Sequence, residues 1–201
     1  MKVVSFKDRD SWLKFREGKI TGSKLGDIIV KRGTGKKIGF YQLLAERLAI
    51  EEDGDESPMD RGSRLEGQAL EVFAKEIKKK VKNDLVIWVS DADSSIAYSP
   101  DGLISDREVA EVKCLSSAKH LQAYCEQKIP DDYEEQYVQA FIVNEKLQTL
   151  YFVFYDPRVE SKPIHWIVVK RKDIEEKIKA YEDYENMVLA ELDGWVTKLT
   201  Y

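Results

Sequence analysis

The stretch LVIWVSDADSSIAYSPDGLISDREVAEVKCL, residues 85–115, decides the reading of the fold. Leu85–Asp91, Ser95–Ser99, Gly102–Ser105 and Val109–Leu115 are short runs rich in β-branched and aromatic residues, parted by Asp, Ser, Pro and Gly. That pattern predicts consecutive strands. Their connections are too short for crossovers, so most of the pairing should be antiparallel. In the last run, alternation puts Glu111 and Lys113 on one face, about 7 Å apart along the strand, and turns Ala110 and Val112 to the other. Asp101 falls in the turn entering the preceding strand, where a hairpin brings it beside Glu111.

Outward from this stretch the period becomes helical. Ser11–Arg16 reads as a short helix, and Ile20–Val30 as a second one that Thr21 or Ser23 can cap. A basic loop, Gly33–Gly39, precedes helical spacing at Phe40–Ile50, and an acidic loop covers Glu51–Met59. Arg61–Lys80 carries Leu65, Ala69, Val72, Phe73 and Ile77 as an apolar stripe. Helices follow at Ser117–Glu126 and Asp131–Glu145, strands at Gln148–Tyr155 and Pro163–Lys170, and a last helix from Asp173 to about Trp195. The expected architecture is α/β, with α+β character: a central mixed sheet flanked by helices, in one domain spanning residues 1–201.

Composition narrows the function. With 201 residues, 43% hydrophobic and 34% charged, the chain is neither a disordered nor a fibrous protein. No apolar run approaches the ~20 residues of a membrane span. Cys114 and Cys125 are too few for a disulfide framework and fit a reducing cytosol, so a cytoplasmic protein is expected. A net charge of -5 excludes a protein that coats nucleic acid through bulk positive charge. It leaves room for an enzyme acting on nucleic acid, which needs clustered carboxylates to hold metal ions.

Asp101 and Glu111 supply hard oxygen ligands for Mg²⁺ or Mn²⁺. Lys113 can orient or help deprotonate a water and offset negative charge. Pro100-Asp101 followed by Glu111-Val112-Lys113 resembles the PD-(D/E)xK nuclease signature. Trp12-Leu-Lys-Phe-Arg16-Glu-Gly-Lys-Ile20-Thr-Gly-Ser23 resembles the opening WxxxRxGxITAS of the lambda-type phage exonucleases and their YqaJ-like relatives. Arg61-Gly-Ser-Arg-Leu-Glu66 is similar to their G-x-x-x-E helix, and Tyr133-Glu-Glu-Gln136 to their Y-x-x-Q helix. Ser99-Pro-Asp-Gly-Leu103, Glu111-Val-Lys-Cys114 and Tyr155-Asp-Pro-Arg158 match in the same order. The likeness covers about Trp12–Lys170. Gly22 departs from it where the family commonly has Ala, and Lys119 stands where an arginine is found.

The resemblance implies a PD-(D/E)xK restriction-endonuclease-like core and a role for each matched residue. Asp101, Glu111 and the Val112 carbonyl would hold metal, with two Mg²⁺ (or Mn²⁺) ions per site. Lys113 would be the catalytic lysine. Glu66 would reach the second metal or its water, and Gln136 would orient the water or metal shell. Asp91 stands at a further acidic position. Arg16, Ser23, Ser99 and Lys119 would cradle the terminal 5′-phosphate of DNA, a chemically apt set of a guanidinium, an ammonium and two hydroxyls. The implied activity is 5′→3′ exonucleolysis of linear double-stranded DNA, releasing 5′-mononucleotides and leaving a 3′ single strand. The implied partners are DNA ends, two further copies in a homotrimer ring, and a single-strand annealing protein of a phage or prophage recombination module. A PD-(D/E)xK endonuclease and a non-catalytic DNA-end-binding protein are the alternatives.

Other residues have structural readings. His120 and His165 look isolated, without a partner at metal spacing. Cys114 reads as a small core residue, and Tyr151, Phe152, Phe154 and Tyr155 as sheet packing. Gly33-Thr-Gly-Lys36 lacks the strand and spacing of a phosphate loop, which argues against an NTPase. The basic run Lys31–Lys37 could touch a DNA backbone.

Overall fold

A computed structural model of the chain describes residues 1–30, 37, 40, 43, 59–115, 117–157, 159 and 162–200; the side chains of residues 59–63, 117–119, 121 and 125 lie outside the description. The helix expected at Phe40–Ile50, the acidic loop and all but one residue of Lys31–Lys37 fall largely outside the described residues.

Among the described residues two sheets are formed. β1 (Lys2–Ser5), β2 (Val86–Val89) and β3 (Ala97–Tyr98) make an antiparallel three-stranded sheet, with Lys2 opposite Val89 and Trp88 opposite Tyr98. β4 (Gly102–Leu103), β5 (Glu108–Lys113), β6 (Thr149–Tyr155) and β7 (Ile164–Lys170) make a mixed four-stranded sheet in that order. Its β4–β5 and β6–β7 pairs are antiparallel, and β5–β6 is parallel with Glu111 opposite Phe152. The mixed sheet expected from the sequence is present, but β1–β3 form a sheet of their own. Between β3 and β4 stands Pro100, which has no N–H to give to a ladder. β1 was not foreseen.

The parallel β5–β6 pair needs a crossover. It is supplied by α4 (Ser117–Glu126), a 3₁₀ turn at Asp131–Tyr133 and α5 (Glu134–Val143). The single helix expected at Asp131–Glu145 is thus divided. Before them come α1 (Arg9–Phe15), whose N-cap Asp8 accepts from Ser11 N at 2.8 Å, and α2 (Gly22–Ile28). Thr21 is the N-cap of α2 but makes no side-chain capping bond; its hydroxyl lies 3.3 Å from that of Ser23. The two longest helices among the described residues are α3 (Met59–Ile77) and α6 (Glu175–Thr200).

The alternation of β5 and β6 divides the core. Ala110, Val112, Val153 and Tyr155 pack against Ala69, Leu70 and Phe73 of α3. Leu150, Phe152 and Phe154 face the opposite way and join Val138 and Phe141 of α5. Each fully buried aromatic or aliphatic side chain contributes about 1.5–3 kcal/mol, so both faces of β5 are fixed by packing. Glu111, out of step with Val112, is thereby held on the α5 face.

Candidate active site

Glu111 is a carboxylate only 1% exposed, and three donors converge on it. The Tyr98 hydroxyl donates to Oε2 at 2.5 Å, the Lys113 ammonium to Oε1 at 2.8 Å, and the Gln136 amide also to Oε1. Each comes from a different element or turn of the fold: β3, β5 and α5. Asp101 Oδ2 accepts the Val112 N–H at 2.6 Å, which pins the turn before β4 onto β5. Lys113 Nζ sits 5.5 Å from the Tyr133 ring centroid and 6.0 Å from that of Phe152, where aromatic faces favour a cation. The sequence-predicted pairing of Asp101, Glu111 and Lys113 is therefore brought together, with Gln136 added.

The charges strain against one another. Burial first, then the Glu111 and Glu66 charges, hold the Asp101 carboxyl well above its ordinary range; Lys113 and the Val112 N–H pull the other way. Glu66 is raised by burial and by Glu111, against the opposing pull of Arg9 and Lys113. Burial alone would lower Lys113, but Glu111 and Asp101 outweigh it, and the group is raised and stays an ammonium. Tyr98 is pushed far up by burial and by the same two carboxylates, so it remains a phenol donor. Mutual repulsion among three carboxylates is the condition that a divalent cation relieves.

Among the described residues no three His, Cys, Asp or Glu side chains form a ready metal cage. Mg²⁺ does not require one, because it is commonly held by one or two carboxylates with waters and substrate phosphate completing the shell. Asp101 and Glu111 fit that donor set.

The neighbouring side is cationic. Arg16, at the C-cap of α1, directs Nη2 to Ser23 Oγ at 3.3 Å and lies 4.4 Å from the Trp12 ring centroid. Burial lowers its pKa while Glu111 and Asp101 raise it, so the guanidinium is charged and within electrostatic reach of both carboxylates. Trp12 Nε1 donates to Ser99 Oγ at 2.7 Å, and the Ser99 hydroxyl donates to the Val86 carbonyl at 2.8 Å. Ser99 therefore belongs to the group through Trp12, with its proton turned to the main chain. Lys119 lies on α4, and its side chain is outside the described residues.

Asp91 is not brought to the site. It follows β2 at the end remote from Val86, its side chain is 73% exposed, and it pairs with the amino terminus. A strand-end aspartate there has the character of a turn residue. His120 and His165 are not isolated: their ring centroids are 4.7 Å apart where α4 meets β7. His120 Nε2 lies 2.8 Å from the Lys162 carbonyl, His165 stacks on Phe154 at 4.8 Å, and burial with His120 nearby pushes His165 down to about 4. Cys114 packs against the α3-side core as expected. Sequence reasoning missed Tyr98 and the bridging place of Trp12. The available signal was a buried-strand tyrosine next to Ser99-Pro-Asp, since a buried hydroxyl needs a partner.

Residues 11–146 match the YqaJ-like viral recombinase domain, and the chain belongs to that family. Among solved structures it is similar to an alkaline exonuclease (LHK-Exo) of Laribacter hongkongensis, with 23% identity, a TM-score of 0.82 and 96% of each chain covered. The same enzyme in complex with dAMP gives 22% identity and a TM-score of 0.79 over 96% of this chain and 98% of that one. A phage-related exonuclease from Haemophilus somnus 129PT gives 14% identity and a TM-score of 0.52 over 87% of this chain and 96% of that one. At these identities the likeness establishes the fold. No significant match is found among curated proteins.

Proposed function

We propose that this chain is a divalent-metal-dependent 5′→3′ exonuclease on linear double-stranded DNA, releasing 5′-mononucleotides and leaving a 3′ single strand for annealing-type recombination. One observation carries the reading: a cluster of the buried Glu111 with the part-buried Asp101 and Lys113 lies within electrostatic reach of the Arg16–Ser23 pair, a cationic site for an anion. Membership of a viral recombinase family and the fold of two exonucleases support it.

Asp101 and Glu111 would hold Mg²⁺ or Mn²⁺, with the Val112 carbonyl and Glu66 available to one or two ions. When bound, the metal supplies Lewis-acid stabilisation of charge on the phosphoryl and leaving oxygens. The chain's own groups do the positioning. Tyr98 and Gln136 fix the Glu111 carboxylate, and Lys113 places a positive charge where negative charge develops. Arg16 and Ser23, with Ser99 and Lys119, would hold the terminal 5′-phosphate. Water attacks the next phosphorus and the 3′-oxygen of the departing nucleotide leaves, so the shortened strand again begins with a 5′-phosphate. Each cut thus regenerates the group that the anion pocket grips. The dAMP bound to a structural neighbour is a mononucleotide of the kind that stepwise release yields. A homotrimer ring and a single-strand annealing partner complete the proposal: encirclement would let an acidic chain stay on DNA without strong electrostatic holding.

The test is incubation with Mg²⁺ and duplexes labelled separately at each end and strand, beside covalently closed circular DNA. Loss of nucleotides from 5′ ends, faster from 5′-phosphate than 5′-hydroxyl, and resistance of the circle are expected. Cutting of the circle would make the protein an endonuclease. In Arg16→Ala the phosphate-to-hydroxyl rate ratio should fall roughly ten- to a hundredfold, the worth of one charge-assisted contact.

A further inference from the structure

Arg9, Trp12 and Arg16 occur at spacings of three and four along α1 and its C-cap, which sets them on one helix face. The Arg9 guanidinium lies 5.7 Å from the Trp12 ring centroid, and that of Arg16 lies 4.4 Å from the same ring. Arg9 is exposed and lines a cleft with Trp12, Glu66, Asp84, Ser99 and Asp101. Its charge is felt by Glu66, whose carboxyl it stabilises in the ionised form, and by Arg16. An arginine whose task is to neutralise this acidic cleft would be clamped to one of its carboxylates. Among the described residues Arg9 makes no ion pair. It stands at the rim of the cleft as a guanidinium stacked near an indole, preorganised to meet an anion that arrives from solvent.

We propose that Arg9 binds a backbone phosphate of the DNA strand inward from its 5′ end, so that Arg9 and Arg16 grip two different phosphates on either side of Trp12. This rests on the exonuclease reading and adds a substrate contact to it. The two arginines stand seven residues, about 10 Å, apart along the helix axis, so their side chains leave α1 from different turns and approach the Trp12 ring from different starting points. Arg16, half-buried against Ser23, holds the terminal position. Arg9, at the exposed start of α1, meets the strand where it enters the cleft. A phosphate there carries no sequence information, so the contact would serve every sequence alike.

Binding of a 5′-phosphorylated duplex in Ca²⁺, measured by fluorescence anisotropy over a salt series, tests this in wild type, Arg9→Gln and Arg9→Lys. Arg9→Gln should weaken binding about tenfold and make the slope of log K against log salt shallower by about 0.9, the loss of one neutralised phosphate. Arg9→Lys should keep the wild-type slope. In Mg²⁺, Arg9→Gln should slow 5′-phosphate and 5′-hydroxyl duplexes equally, leaving the ratio that Arg16→Ala collapses. An unchanged salt slope overturns the proposal and leaves Arg9 a helper of Glu66. A collapsed phosphate-to-hydroxyl ratio overturns it by putting Arg9 on the terminal phosphate. If wild type neither binds nor degrades the duplex, the exonuclease reading falls and this contact with it.

Discussion

The Tyr98 hydroxyl reaches Glu111 Oε2 at 2.5 Å across thirteen positions of chain, joining β3 of one sheet to β5 of the other at the candidate metal ligand. The bond fixes one oxygen of the carboxylate, leaving Lys113 and Gln136 to fix the other. Tyr98→Phe keeps the ring that packs 5.9 Å from Trp88 and removes only the donor. A hydrogen bond to a charged group is worth about 1.5–3 kcal/mol, so cleavage should slow roughly ten- to a hundredfold. The expected signature is a higher Mg²⁺ requirement with little change in Tm. A variant with wild-type rate at every Mg²⁺ concentration would reduce Tyr98 to a packing residue.

Asp101→Asn and Glu111→Gln hold shape and remove charge. Each should leave under a tenth of wild-type cleavage, since metal-centred stabilisation is worth several kcal/mol and a tenth corresponds to ~1.4 kcal/mol. Lys113→Ala should lose hydrolysis while binding DNA in Ca²⁺; equal losses in both would make Lys113 a phosphate contact only. Asp101 and Glu66 both have raised carboxyl pKa values, so protons compete with the cation. Divalent-ion affinity should therefore rise with pH as these groups ionise. Calorimetric titration of Ca²⁺ across pH checks the sign, and affinity that falls with pH would contradict it.

The part of this site legible in sequence is the part with local periodicity. Glu111 and Lys113 on one face of a strand, with Val112 turned to the core, follow from alternation alone, and the structure has that arrangement. Asp101 needed only a short hairpin. Glu66 and Gln136 became visible through motif resemblance, because a helix position says nothing of which strand its polar face meets. Tyr98 stayed hidden since its partner lies on another sheet, and Asp91, a further acidic position through resemblance alone, is exposed and paired with the amino terminus. The His120–His165 contact was invisible for a related reason: it depends on where α4 lands on β7, a packing outcome that no local pattern encodes. β1 lacked a strong signal because four residues with mostly exposed side chains carry little hydrophobic pattern.

Gly22 shows why one departure from the family pattern matters. A Cβ built there would lie 2.8 Å from the Gln136 main-chain oxygen and 3.1 Å from its Cα, so α2 and α5 touch backbone to backbone. Alanine, the family's common residue, would push Gln136 away from Glu111. Gly22→Ala should cost about 1–3 kcal/mol of stability through overpacking and lower cleavage beyond what the loss of folded protein explains. Rates normalised to folded fraction, with Tm measured in parallel, separate the two effects. Normalised activity equal to wild type would show that α5 shifts without disturbing Gln136.

Glu185 is fully buried on α6. Burial is the chief reason its carboxyl is raised to about 8; the nearby Gln139 pulls it down, and the charges of Glu182 and Asp93 add to the rise. Gln139 Nε2 donates to the Ile20 carbonyl at 3.3 Å, while Gln139 Oε1 and both Glu185 oxygens have no hydrogen-bond partner among the described residues. A protonated Glu185 supplies the missing donor, so the neutral acid is the form that suits the fold. The folded pKa lies above the unfolded value of 4.5, so this stabilisation is complete below pH 4.5, declines as pH rises, and is gone above about 8. His165, lowered to about 4, acts in the opposite sense between pH 4 and 6.5 and is silent above that range. The window that isolates Glu185 is therefore pH 7 to 8.5, across which wild type should lose about 1 kcal/mol on its account, or roughly 2–4 °C in Tm. Glu185→Gln keeps the shape and a donor without a titrating proton, so that component of the loss should vanish. Thermal melts of both proteins at pH 7 and 8.5 decide it: parallel declines would show that Glu185 ionises without cost and that its burial is relieved by solvent.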